Sequence, residues 1–100
     1  LQDTHLLAEF LDGADLAVQA TSMGLHKEDA PPFDLTLLER RKGLCCFEMI
    51  YHSTPFLRAA ESAGLPNSGG SGMLLHQGAR SLELWTGKTA PVEIMREALK

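Results

Sequence analysis

Two short segments of the chain group hydroxylated and glycine residues in a way that suits a phosphorylated ligand. Thr21, Ser22 and Gly24 follow an apolar run at residues 15–20. That is the carboxyl end of a candidate strand, where open parallel sheets bind their ligands. Gly69, Gly70, Ser71 and Gly72 precede an apolar helical stretch, whose first amides and positive dipole end favour anionic or polar groups. Taken alone, each cluster also fits a plain flexible connection. Tyr51 and Gln77 add neutral donors and acceptors of the kind that hold a polyhydroxylated ligand. The competing reading packs Tyr51 at a strand end and turns Gln77 to water.

Other chemistries find little support. His5, His26, His52 and His76 make no pair with another His, a Cys or a carboxylate at a recognised metal spacing, so no metal is expected. There is no Gly-x-Ser-x-Gly elbow and no base near either cysteine in sequence, so no covalent nucleophile is expected. The Gly-x-Gly-x-x-Gly fingerprint of a self-sufficient dinucleotide domain is also missing. With a net charge of −4 and no basic cluster longer than Arg40, Arg41 and Lys42, counterion-release binding to nucleic acid has little to work with. The apolar runs are far shorter than the roughly 20 residues that span a bilayer, and no signal pattern opens the chain. Cys45 and Cys46 are adjacent in a candidate strand and read as two small buried hydrophobes. The expectation is a cytoplasmic chain in a reducing compartment.

The elements that must position these residues alternate in type. Leu6, Leu7, Phe10 and Leu11 predict a helix over 4–12, with Asp3 or Thr4 as cap and Gly13 closing it in the left-handed conformation. A buried strand is expected at 15–20, an irregular loop from Thr21 to Phe33, a short helix over 35–41 and a strong strand at 44–51. Thr54-Pro55 starts a helix that stops at Gly64. Residues 65–72 suit a loop and disfavour a central strand. A helix over 73–85 and a last one through Leu99 complete the chain. Alternating strands and helices predict a parallel sheet with right-handed crossovers. Two good strands are few for such a sheet, which wants neighbours on both edges and cover on both faces.

The order of motifs resembles the shikimate dehydrogenase family over essentially the whole chain. Residues 14–25, Ala-Asp-Leu-Ala-Val-Gln-Ala-Thr-Ser-Met-Gly-Leu, are similar to the family's strand and Asn-Ala-Thr-Ser-like turn. Phe47 to Leu57, with Met49, Tyr51, Thr54 and Pro55, resembles its next strand and Thr-Pro helix start. Gly70 to Gln77 and Leu84 to Gly87 resemble its Gly-Leu-Gly-Met-Leu…Gln and Trp-x-Gly signatures. The resemblance implies an α/β fold: the C-terminal half of a Rossmann-like doubly wound parallel sheet, of two to three strands, plus C-terminal helices. Residues 1–87 would then be the second half of an NADP-binding domain. Residues 88–100 would form the helix that packs on the substrate domain.

By the same resemblance, Gln77 and Tyr51 bind shikimate or a related hydroxylated ring acid. Thr21, Ser22, Met49, Gly70 and Met73 lie along the nicotinamide end of NADP, with NAD left open. No catalytic residue is assigned, because the family's catalytic Lys and Asp precede the matched region. The 100 residues alone are therefore expected not to oxidise shikimate. Several positions depart from the family pattern. Gln19 stands for asparagine, Glu48 for aspartate and Ser71 for an apolar residue. The turn after Tyr51 is about two residues short of the family's, and residues 65–69 lack the usual β-branched strand. These changes keep open an alternative, a non-catalytic binding or assembly module. The strand at 15–20 is expected to leave an apolar edge open to self-association or to a missing N-terminal domain.

Overall fold

Asp3 opens the first helix, α1 (Thr4–Asp12), its side chain accepting the Leu6 amide at 3.0 Å. The computed structural model describes residues 3–40 and 42–100, so Arg41 of the basic run lies outside the described residues. α1 leads into β1 (Leu16–Gln19), a 3-10 helix (Leu35–Arg40), β2 (Cys45–Glu48), α2 (Pro55–Ser62), β3 (Asn67–Ser68), α3 (Ser71–Thr86) and α4 (Val92–Ala98). The strands form one parallel sheet in the order β1-β2-β3. Gln19 is in register with Glu48, and Phe47 with Ser68. This is the expected α/β half-sheet, with three strands.

α1, the 3-10 helix and α2 cover one face of the sheet. Ala8, Leu11, Leu37, Leu38, Leu44, Cys46, Phe56, Ala60 and Leu65 make the core, with Phe33 edge-on to Phe56 at 6.1 Å. Thr54 caps α2 by accepting the Leu57 amide at 3.4 Å, and Pro55 at the first position gives up no needed donor. The opposite face of the sheet is open: Leu16 and Val18 are 58% and 50% exposed, on the edge strand. The apolar edge expected from the sequence is therefore present.

Three local readings need correction. Gly13 ends α1 with φ −100°, not left-handed, and its amide reaches Phe10 O at 3.3 Å. Only Cys46 is buried. Cys45 is exposed, because neighbouring strand residues face opposite sides and only one side has cover. Burial pushes the Cys46 thiol up, with neighbouring Cys45 adding to the shift. Residues 67–68 do pair as a strand despite their composition, next to a bond from the Cys46 amide to Pro66 O at 2.8 Å.

The last two helices make an arm. α3 buries only Leu75 and Ala79, and α4 buries nothing. The pair is held by contacts such as the Ala90 amide on Glu83 Oε2 at 3.0 Å. The radius of gyration, 16.1 Å, exceeds the roughly 13 Å of a compact 100-residue chain.

Candidate functional site

Because all three strands run the same way, the segments after Gln19, Glu48 and Ser68 emerge at one end of the sheet. There they touch. The Gly70 amide donates to Ile50 O at 3.1 Å. A Cβ on Gly70 would overlap the Met49 carbonyl, 2.6 Å from its carbon, so only glycine lets the two backbones approach this closely. Gly24 sits at φ +116°, and a Cβ on it would press on Ile50 and Thr54 side chains at 3.3 Å each. Thus the Thr21–Gly24 turn and the Gly70 loop both close against the segment between β2 and α2.

A buried polar cluster holds this end together. Gln19 and Glu48, 4% and 0% exposed, are opposite each other on β1 and β2. Gln19 Nε2 donates to Glu48 Oε1 and Oε2 at 3.1 and 3.2 Å and to Met23 O at 3.0 Å. Gln19 Oε1 accepts the Thr21 amide at 2.6 Å and the Thr21 hydroxyl. Glu48 also accepts the Ile50 amide at 3.0 Å and the Thr54 hydroxyl at 2.7 Å. Among the described residues no cation forms a salt bridge to Glu48. Its oxygens are met by neutral donors, as buried polar atoms require. No buried side-chain polar atom among the described residues lacks a partner. Gln19 and Glu48, both set apart in the sequence reading, are therefore one interaction. The sequence signal for it was a polar residue inside each of two apolar strands, but the pairing needed the register.

The candidate residues take distinct places around this cluster. Thr21 and Ser22 are exposed at the turn after β1, Thr21 with its hydroxyl held by Gln19. Met49 is 42% exposed just after β2, and its amide donates to Gln19 O at 3.1 Å. Gly70 is buried against it. Met73, also 42% exposed, occupies the first turn of α3. All five of these residues are uncharged, and their segments leave the same end of the sheet as a ledge. Tyr51 is exposed and edge-on to His52 at 5.4 Å. Gln77 is exposed on the second turn of α3, its amide nitrogen donating to Leu74 O at 3.1 Å.

Beyond Ser22 the loop is tied back by Asp29. Its Oδ2 accepts the His26 amide at 3.0 Å and the Gly24 amide at 3.2 Å. The His26 bond first, and then the Gly24 bond, hold the Asp29 carboxyl below the usual carboxylate range. Among the described residues there is no group of His, Cys, Asp and Glu able to hold a metal ion, and no helix long and apolar enough to cross a membrane.

Comparison with known proteins gives consistent results. Residues 70–100 match the family model of the shikimate 5'-dehydrogenase C-terminal domain. A shikimate dehydrogenase (NADP(+)) of Methanopyrus kandleri is 45% identical over 92 residues, which cover 89% of this chain and 31% of that protein. The structure of shikimate 5-dehydrogenase from Listeria monocytogenes, in complex with shikimate and NAD, superposes with a TM-score of 0.80 at 28% identity, covering 99% of this chain and 35% of that one. The Thermus thermophilus enzyme, in complex with NADP(H) and shikimate, superposes at 0.76 with 34% identity, covering 92% and 35%. The chain spans about a third of the length of these relatives.

Proposed function

Since the chain belongs to the shikimate dehydrogenase family and corresponds to its C-terminal part, we propose that it forms one wall of a dehydrogenase cleft. The protein that carries it would transfer a hydride reversibly between shikimate and 3-dehydroshikimate with NADP as partner, in the reducing cytoplasm. NADP, when bound, supplies the hydride chemistry. The residues of this chain bind and orient. Met49 and Met73 would offer apolar surface to the nicotinamide ring, Gly70 would keep its loop close enough to Met49 for both segments to face the ring, and Thr21 and Ser22 would border it. Gln77 and Tyr51 hydrogen-bond the hydroxylated ring of the substrate. Proton transfer belongs to groups that precede the matched region. Residues 88–100 would pack on the substrate domain, and the open β1 edge would take up a neighbouring strand.

One observation carries this reading: the segments bearing Thr21, Met49 and Gly70 meet at the carboxyl end of a parallel sheet, where such sheets bind nucleotides. The test is absorbance of reduced cofactor with the intact protein and shikimate. Turnover is expected, with none from residues 1–100 alone. Gln77→Ala should raise the KM for shikimate about fivefold, the worth of one neutral hydrogen bond. Failure of the intact protein to reduce NADP or NAD with shikimate or quinate would overturn the reading.

A further inference from the structure

Four basic residues, His26, Lys27, His52 and Arg58, line one space that the ledge does not use. A cleft of about 710 Å³ opens between the turn after β1 and the start of α2, lined among others by His26, Lys27, His52, Ser53 and Arg58. Arg40, Arg80, Arg96 and Lys100 each form a salt bridge with a carboxylate. Lys27 and Arg58 form none among the described residues. Among the described residues the Arg58 guanidinium reaches only the Ser53 hydroxyl, at 3.4 Å. His52 Nδ1 lies 3.1 Å from Ser53 O; a carbonyl can only accept, so Nδ1 carries a hydrogen, and Nε2 would donate to a phosphate oxygen only from the doubly protonated ring. Asp29, whose Oδ2 accepts the Gly24 and His26 amides, is an acid beside His26 but is not among the lining residues. Glu28 and Glu61, exposed neighbours in the loop and on α2, are not among the lining residues.

We propose that this cleft binds a phosphate-bearing small molecule, held by Arg58 and Lys27 with Ser53 and the two histidines around it. In a chain of net charge −4, two unneutralised cations facing one concavity are a local reversal of sign, and field lines focus in such a concavity. A guanidinium presents a planar fork matched to phosphate oxygens, and an ammonium adds a point charge. The volume lies within the range of small-molecule sites. The cleft is separate from the nicotinamide ledge, as Met49, Gly70 and Met73 do not line it.

Inorganic pyrophosphate titrated into the intact protein, followed by calorimetry and by the ring-proton resonances of His26 and His52, tests the proposal. Saturable binding that moves both histidines, and that persists with saturating NADP, is the expected result. The Lys27→Gln/Arg58→Gln double variant should bind about tenfold more weakly or worse, as expected when charged hydrogen-bond partners are lost. Lys27→Arg/Arg58→Lys should retain binding. Should the double variant unfold, each single variant is expected to weaken binding by about threefold. Absence of saturation, unchanged affinity in the glutamine variants, or displacement of pyrophosphate by NADP would overturn it. NADP-linked activity is scored separately, so a failed dehydrogenase reading would leave this result standing on its own.

Discussion

The two ends of this chain solve the problem of stability in opposite ways. At the carboxyl end of the sheet, Gln19, Glu48, Thr21 and Thr54 satisfy one another and fix three backbone segments within contact. On the α3–α4 arm, Leu84, Trp85 and Ile94 are 68%, 82% and 72% exposed. The difference teaches that the first region carries its own determinants. The second leaves large apolar side chains in contact with solvent.

Breaking the buried cluster should produce the largest effect. Glu48→Ala leaves Gln19, the Ile50 amide and the Thr54 hydroxyl short of an acceptor, and about 3–5 kcal/mol should be lost in urea unfolding, since several buried donors go unsatisfied at once. The Gln19→Asn/Glu48→Asp pair tests whether the two longer side chains work together. The double change should cost about 1 kcal/mol less than the sum of the two single changes. Next comes Gly70→Ala, which forces the Met49 carbonyl away. About 2–3 kcal/mol of destabilisation is expected, together with loss of nucleotide binding out of proportion to the stability change.

How much of this was legible from the sequence depends on whether a feature is local. The Thr54-Pro55 helix start and the parallel order of strands follow from residue types and spacing, and both stand in the structure. β3 did not follow, because Asn67 and Ser68 have no strand preference of their own. Their pairing comes from the open edge of β2, a neighbour across the sheet. The exposure of Cys45 depended on which face is covered. The Gln19–Glu48 pair depended on register. Only the resemblance to a family grouped Thr21, Met49 and Gly70, since they lie in three separate stretches and carry no motif in common.

Smaller effects sharpen the contrast. Asp29 should steady the turn after β1 at neutral pH only. Its carboxyl is held low in the folded state, so the stabilisation is present above the unfolded value of about 3.9 and fades as pH falls through the lower folded value. The melting temperature of Asp29→Asn should therefore sit below that of the parent at pH 7 and converge with it in acid. Least of all, Trp85→Ala should change the stability of the isolated chain by no more than about 0.5 kcal/mol. A clearly larger loss in the intact protein would identify the arm as covered there.

The central claim is that the turns after β1 and β2 and the loop before α3 together face a nicotinamide nucleotide. Backbone amide resonances of the intact protein, followed while NADP is added, test it most directly. The account predicts that the largest shifts fall on Thr21, Ser22, Met49, Gly70 and Met73, with Trp85 and Ile94 unmoved. Saturable binding whose shifts cluster on the arm, or that leaves those five residues in place, would contradict it.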